Sequence, residues 1–178
     1  MKQNKKGFSL LELLVVILII GVLAGIALPQ YNRAVGKARF AALIPVVNGY
    51  KEAAESYYTV HGEYPVEATG NNPIGLDIIA PDCTHNDTSQ GMTCKNGIVY
   101  DVVDYGVPNI AGMDTKHGLA YIYWLTFSDH PNQRRCIALA TNKVANDVCK
   151  TLGGVQITGE NYRYTKEKLG GNLTVYAI

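Results

Sequence analysis

The sequence predicts an α+β fold, in which one long N-terminal helix precedes a small antiparallel sheet. Three observations support this fold class: an apolar run over residues 8–28, a one-sided apolar pattern over residues 29–61, and β-rich runs in the second half of the chain. We therefore divide the chain into four parts. They are a basic leader (1–7), an apolar helix (8–28), an amphipathic continuation of that helix (29–61), and a loop followed by the sheet of a globular domain (62–178).

The apolar run is long enough to cross a bilayer. It extends for 21 residues from Phe8 to Leu28, and Glu12 is its only charged residue. A hydrocarbon core of about 30 Å requires about 20 helical residues. A charged side chain at mid-membrane costs about 2.5–3.5 kcal/mol on insertion scales. Glu12 is therefore a candidate functional residue that needs a partner.

The leader sets the expected topology of this span. It carries three lysines and no acid. Positive charge beside an apolar span stays on the cytoplasmic side, so we expect the rest of the chain to lie outside the cytoplasm. A secretory signal peptide has a shorter apolar core, of about 7–15 residues, and an A-x-A-like cleavage site. The stretch 24–27 matches that site poorly, and hydropathy alone would favour an uncleaved signal anchor.

The residues around Glu12 are more specific than the hydropathy. Gly7-Phe8-Ser9-Leu10-Leu11-Glu12 resembles the prepilin cleavage and methylation motif of type IV pilins and type II secretion pseudopilins, and the likeness continues to Pro29-Gln30-Tyr31. The resemblance implies cleavage between Gly7 and Phe8 by a prepilin peptidase, followed by N-methylation of Phe8. It also implies the pilin fold, in which the hydrophobic half of the long helix protrudes from the globular domain.

The same resemblance implies assembly roles for Phe8, Glu12, Gly21 and Pro29. The Glu12 carboxylate is expected to pair with the Phe8 amino group of a neighbouring subunit and to set the axial register. Such a pair is costly to desolvate, so its value lies in specific docking. The stretch between Gly21 and Pro29 is expected to lose helicity in the assembled fibre, which would make the fibre extensible.

The resemblance further implies the partners and the location. We expect a structural subunit without catalytic activity, which lies in membrane lipid before assembly and then forms a helical homopolymer. Its other partners would be the prepilin peptidase, an inner-membrane assembly platform and a secretin. The subunit would cross the inner membrane once, with its C-terminal domain in the periplasm, and would end in an extracellular pilus used for adhesion, motility or DNA uptake. The alternatives are a pseudopilin of a type II secretion system and a membrane-anchored extracytoplasmic enzyme or binding domain.

Composition and motifs argue against other functions. The chain has a net charge of +1, and loss of the three leader lysines leaves it slightly acidic, so there is no signal for nucleic-acid binding. The motifs of hydrolases, zinc proteases, P-loop proteins and EF-hands do not occur. We expect no cofactor. Ser128, Asp129 and His130 are adjacent, which favours a turn before Pro131 over a catalytic triad.

A metal site is also disfavoured. Asp101, Asp104 and Asp114 are candidates for a calcium site like that of the major pseudopilin of type II secretion. The family's site cannot be aligned with these residues, however, and Asp is common in turns. A zinc site that uses His85 with cysteines lacks the usual close cysteine spacing. We therefore expect no resident metal.

The four cysteines are expected to form disulfides, because the predicted compartment is oxidising. Three connectivities are possible. Cys83–Cys94 and Cys136–Cys149 are favoured, since each closes a short local loop. By its late position, the Cys136–Cys149 segment resembles the disulfide-bounded loop of many pilins, which is a variable exposed surface in that family.

The remaining elements follow from the apolar pattern. The helix is expected to end at His61-Gly62, with Pro65 beyond. Its buried stripe is predicted to be Ala-rich and to contain Tyr31, Ala34, Val35, Ala38, Ala41, Ala42, Val46, Tyr50, Ala53, Ala54 and Tyr57. Residues 66–97 are predicted to be a loop. Antiparallel strands are predicted at 98–105, 118–127 and 135–140, with edge strands at 162–165 and 172–178 and a fully buried central strand in the run 119–127.

Overall fold

The computed structural model describes residues 8–64, 82–86, 89–103, 108–160 and 162–178. Outside these residues lie Gly7, Pro65 and Asp104. The first half of the predicted loop, residues 66–81, also lies outside them. The described parts contain three helices and eight strands, and they confirm the predicted α+β class. The elements are α1 (Leu10–His61), β1 (Cys83–Asn86), β2 (Ser89–Cys94), β3 (Ile98–Val103), β4 (Asn109–Asp114), β5 (Leu119–Trp124), β6 (Arg134–Leu139), α2 (Lys143–Thr151), β7 (Val155–Ile157), α3 (Arg163–Leu169) and β8 (Leu173–Ala177).

The long helix α1 has clear start and stop signals. Ser9 is its N-cap, and Gly62 is its C-cap at a φ of 75°. The N–H of Gly62 donates to the carbonyl of Tyr58 at 2.8 Å, which confirms the predicted end of the helix. Pro29 and Pro45 lie inside α1. Each lacks an N–H and so removes one helical hydrogen bond, yet the helix continues through both for about 80 Å.

The buried face of α1 differs from the predicted one. The structure buries a stripe at alternating intervals of four and three, formed by Gly36, Phe40, Leu43, Val47, Tyr50 and Ala54. Of the predicted residues, Tyr50 and Ala54 are buried, whereas five others are exposed: Tyr31, Ala34, Ala38, Ala41 and Ala42. The predicted face was the one with small residues, whereas the face that packs on the sheet is its neighbour, which carries larger residues and buries more apolar area.

The strands form one antiparallel sheet in the order β1-β2-β3-β4-β5-β6-β8-β7. The strand β5 is central and buried along its length, as predicted. On one face, Leu119 and Tyr121 pack with the buried stripe of α1. On the other face, Ala120, Ile122 and Trp124 pack with residues of α3 and its flank. The sheet therefore has a core on both sides.

Several local predictions were wrong. Residues 163–165 lie in α3 and not in an edge strand. The strand at 172–178 is observed as β8, but β7 pairs outside it and takes the edge position. The stretch 83–94 was predicted as loop, yet it forms β1 and β2. Asn86 and Gly91 have low strand propensity, and the disulfide Cys83–Cys94 joins directly paired positions of the two strands. The strand β4 and the helix α2 were not predicted.

Candidate assembly surface

The N-terminal half of α1 projects from the globular domain without any covering element. Every residue from Leu10 to Leu28 is exposed or partly exposed, and Leu10 is 86% exposed. The most apolar window of the helix has no buried residue, and the helix is long and apolar enough to cross a membrane. Exposing a continuous apolar surface of this length to water is energetically unfavourable, so this surface requires lipid or a protein partner.

Glu12 lies at the start of this apolar surface, where its side chain is hydrogen-bonded to the backbone at the N-terminus of its own helix. The Glu12 carboxylate accepts a hydrogen bond from the backbone N–H of Ser9 at 2.9 Å, and the Ser9 hydroxyl accepts one from the N–H of Leu11 at 3.2 Å. This reciprocal arrangement is a capping box. The acid lies in the first helical turn, where the helix dipole favours negative charge.

The other predicted assembly residues lie along the same exposed rod. Phe8 is 75% exposed and precedes the N-cap Ser9, so it lies just outside the first turn of α1. Gly21 and Pro29 both lie in continuous helix, and nothing approaches the position of a Cβ at Gly21 within 4 Å. The predicted partner of Glu12 belongs to another subunit, so a single chain cannot bring that pair together.

The second half of α1 is fastened to the far end of the sheet by a polar clamp. The Glu55 carboxylate accepts hydrogen bonds from the Thr126 N–H at 2.8 Å and from the Tyr64 hydroxyl at 3.0 Å. The Phe127 N–H donates to the Tyr64 oxygen at 3.2 Å. Burial and the neighbouring Glu55 raise the pKa of Tyr64 to about 12, so its hydroxyl stays protonated.

Ionic contacts fasten α1 near the middle of its length. Arg33 pairs with Asp147 of α2 at 2.9 Å, and Arg39 lies 3.6 Å from the buried carboxylate of Asp114. With the clamp at Glu55, these contacts span about 20 residues of helix. The packed half of α1 is therefore held near Arg33 and Arg39 and again at Glu55, and it continues into the projecting rod as one helix.

The structure contains the two favoured disulfides, Cys83–Cys94 and Cys136–Cys149. The second bond ties β6 to α2, where Ala145, Val148 and Cys149 are buried. The resemblance implied that this segment is an exposed loop. The structure corrects this, because one face of α2 packs against α1 and the sheet.

The candidate metal and triad residues from the sequence have other roles in the described parts of the structure. They contain no group of three or more His, Cys, Asp or Glu side chains that could hold a metal. The Asp114 carboxylate is engaged by Nδ1 of His117 at 2.8 Å. The Ser128 hydroxyl donates to the carbonyl of Leu125, while His130 faces Glu160, so these neighbours form a turn and not a triad.

Comparisons with known proteins agree with this arrangement. The family model described as the prokaryotic N-terminal methylation motif matches residues 2–28. The type IV major pilin protein PilE1 of Neisseria gonorrhoeae is 38% identical over 99 residues, which cover 56% of this chain and 44% of the relative. A fimbrial protein of Neisseria meningitidis serogroup B is 43% identical over 99 residues, covering 56% of this chain and 55% of the relative.

The chain thus spans about half the length of these Neisseria relatives. No solved structure gives a significant match. A third relative is matched over more of its length. The type IV major fimbrial protein FimA of Dichelobacter nodosus is 33% identical over 106 residues, which cover 57% of this chain and 68% of the relative. With the N-terminal motif, the projecting apolar helix and the antiparallel sheet, this match establishes that the chain belongs to the type IV pilin family.

Proposed function

We propose that this protein is a structural subunit of a type IV pilus, polymerised through its N-terminal helix. The observation that carries the proposal is the uncovered apolar rod from Leu10 to Leu28, which is continuous with the helix that packs on the globular domain. In the membrane, lipid covers the rod, and in the fibre, copies of the same helix would replace the lipid. The relatives that share the motif are named as pilins and fimbrial proteins.

Processing would create the assembly-competent end of the rod. A prepilin peptidase on the cytoplasmic side would cut between Gly7 and Phe8, and the new Phe8 amino group would be methylated. Both disulfides support an oxidising location for the globular domain, which fits the periplasm and then the cell surface. An inner-membrane assembly platform and a secretin would move the subunit outward.

The proposed role of Glu12 is to pair with the Phe8 amino group of a neighbouring subunit. The capping box allows this role to be separated from helix capping. Gln at the third helical position keeps the hydrogen bond to the Ser9 N–H, whereas Leu removes both that bond and the charge. A Glu12→Gln variant therefore tests the charge alone.

The experiment expresses each variant in a host with an intact type IV pilus system and compares membranes with sheared fibres. Wild-type protein should begin at N-methylated Phe8 by mass spectrometry. Both Glu12→Gln and Glu12→Leu should insert in the membrane normally and be absent from fibres. An unprocessed Met1 terminus, or normal fibre incorporation of Glu12→Gln, would contradict the proposal. Normal incorporation of Gln with exclusion of Leu would assign Glu12 to capping instead.

We also propose that the stretch from Gly21 to Pro29 loosens on assembly. It is helical in the monomer, but Pro29 already lacks one helical hydrogen bond. Amides at 22–28 should then exchange faster in fibres than in detergent-solubilised subunits, and unchanged protection would count against this idea.

A further inference from the structure

One end of the globular domain is built from turns that the fold brings together beside the start of the packed part of α1. The β2–β3 and β4–β5 turns meet, since Thr115 donates to the carbonyl of Gly97 through its N–H at 3.1 Å and its hydroxyl at 2.7 Å. The β6–α2 connection joins them, because Asn142 donates to the carbonyl of His117 at 2.8 Å. We call these turns, with α2 and residues 33–39 of α1, the basal end.

The basal end lies close to the level at which the apolar rod stops. The Arg33–Asp147 pair places α2 five residues beyond Leu28, which is about 7.5 Å along the helix axis, and the Arg39–Asp114 pair places the end of β4 eleven residues beyond it, about 16.5 Å. Val148 of α2 packs directly on Gly36, so the two helices touch without a spacer. If residues 8–28 fill the hydrocarbon core, each headgroup layer extends about 5–7 Å further. The basal end would then face the outer surface of the headgroups.

The charges at this end are unequal. Its acids Asp114 and Asp147 are engaged by Arg39, His117 and Arg33. Five lysines are exposed and have no ion-pair partner among the described residues: Lys37, Lys95, Lys116, Lys143 and Lys150. The Lys116 stem lies along Gly97, which fixes the base of that side chain at the β4–β5 turn. Among the acids that the structure describes at this end, Asp82, whose carbonyl accepts the Lys95 N–H, is the one without an ion pair. The basal end therefore presents a net positive surface.

We propose that the basal end rests on anionic phospholipid headgroups of the bilayer that α1 spans. The inference rests on the proposed function, since it requires α1 to be a membrane span before assembly. Lysines within a Debye length of an anionic surface, about 8 Å at physiological salt, are attracted to it, and each contributes about a fivefold gain in local binding. The lysines would orient the domain on the membrane, and these contacts would be released when the subunit enters the fibre.

The test is an amine-labelling experiment on the full-length chain. The protein is reconstituted in vesicles of phosphatidylcholine alone or of an equimolar mixture of phosphatidylcholine and phosphatidylglycerol. A membrane-permeant acetylating reagent is added, and labelling of each lysine is followed by mass spectrometry. Lys95, Lys116 and Lys143 should react about fivefold more slowly in the mixed vesicles. Lys51, which lies toward the opposite end and pairs with Glu52 at 3.0 Å, is the internal control and should not change.

Salt and substitution sharpen the result. At about 1 M salt the Debye length falls to about 3 Å, so the difference between the two lipids should disappear while the protein stays in the vesicles. A double Lys116→Gln and Lys143→Gln variant should reduce the lipid dependence of labelling at Lys95, whereas Lys51→Gln should leave it intact.

Two failures are distinguishable. If the chain does not float with phosphatidylcholine vesicles, α1 does not span the bilayer, and both the proposed function and this inference fall. If it floats with both vesicle types and the three lysines react equally in each, only this inference is overturned. Equal protection in both lipids that rises with protein density would assign the basal end to a second copy of the chain, which also overturns it.

Discussion

The sharpest stability prediction concerns Arg135 and Glu160, which form an ion pair on the sheet face opposite α1. Nε and Nη2 of Arg135 donate to the two carboxylate oxygens of Glu160 at 2.9 Å and 2.6 Å. Only 4% of the Arg135 side chain and 14% of the Glu160 side chain are exposed. The Tyr162 hydroxyl also donates to Glu160. The perturbation is Glu160→Gln, which removes the charge and keeps the shape.

The expected loss follows from burial. Breaking a buried pair by removing one partner costs about 3–5 kcal/mol, because the other charge remains uncompensated. Here Arg135 keeps hydrogen bonds to the Gln133 side chain and to the Arg134 carbonyl, at 2.6 Å and 3.1 Å, so we expect the lower end, about 3 kcal/mol. For a domain of this size each kcal/mol lowers Tm by about 2–4 °C. Glu160→Gln should therefore lower Tm by about 6–12 °C.

The assay can be local, because Trp124 is the single tryptophan of the chain and lies beside this pair. Its ring is 6.0 Å from that of Tyr162 and 4.8 Å from that of His130. Thermal unfolding of the full chain in detergent can be followed by Trp124 fluorescence. The matched control is Glu167→Gln, since Glu167 pairs with Arg163 at 3.2 Å but the side chains are 62% and 86% exposed. Exposed pairs contribute about 0–1 kcal/mol, so the control should change Tm little.

The pH dependence gives a second check. The hydrogen bond from Arg135 holds the pKa of Glu160 below its usual value, although burial opposes this effect. A lowered pKa means that the stabilisation is fully present above the unfolded value of about 4.5 and is lost as pH falls through the folded value. The Tm gap between wild type and Glu160→Gln should stay constant from pH 7 to about 5 and shrink below 4.5. Equal effects of the two Gln variants at pH 7, or a gap that widens in acid, would refute the reasoning.

Two further predictions test the packing of the helices. Gly36→Ala would place a Cβ 2.8 Å from Cγ2 of Val148 and should destabilise the protein by about 1–2 kcal/mol. Gly49→Ala has nothing within 4 Å of the new Cβ and should stabilise the protein by about 0.5–1 kcal/mol through helix propensity. The opposite order of unfolding midpoints in denaturant would contradict this packing. Replacing Cys136 and Cys149 with Ala should cost about 3 kcal/mol, measured the same way, and an unchanged midpoint would show that α2 is held by packing alone.

The fold class was predictable because its signals are local and strong. An apolar run with a single acid, a Gly C-cap and a fully apolar strand need no knowledge of the partner elements. The two disulfides join the pairs favoured by loop length, and β5 is central as its apolar pattern indicated. These features are set by composition and spacing along the chain.

The errors arose where distant partners decide the outcome. On α1, the rows headed by Ala34 and by Gly36 are both apolar, and only the shape of the sheet selects the row that contains Phe40 and Leu43. The strand β1 has only four residues and no apolar alternation, and it is held by pairing with β2 and by the disulfide. The residues 163–169 form a helix that buries Thr165 and Leu169 against the second face of the sheet. The sequence does not indicate this packing, because it does not show that both faces of the sheet are covered.

The candidate site divides in the same way. Its apolar rod was predictable from the sequence, but the capping box around Glu12 was not predicted from the prepilin motif. An acid that already accepts the Ser9 N–H enters assembly with a fixed orientation, at the helix end where a positive partner must approach. Its carboxylate keeps lone pairs for a second donor, so docking need not break the cap. If Glu12 enters an apolar fibre core as proposed, the cost would be reduced before any neighbour arrives, because part of its hydrogen bonding is supplied within its own helix.

The rod and the globular domain share one continuous helix, and this bears on how the subunit would leave the membrane. Leu28 ends the exposed apolar stretch, Arg33 is already paired with α2, and Gly36 is the first buried residue of the stripe. Eight residues of helix therefore separate a surface that needs lipid or a fibre core from one that needs the sheet, and no flexible linker lies between them. A force applied to the globular domain is transmitted along α1 to the rod, since the clamp at Glu55 and the pair at Arg33 hold the helix at both ends of the domain. Under the proposed function, extraction would displace the domain and the rod together along the helix axis before the stretch from Gly21 to Pro29 loosens in the fibre, and the barrier would be the transfer of the rod from lipid to the helices of neighbouring subunits.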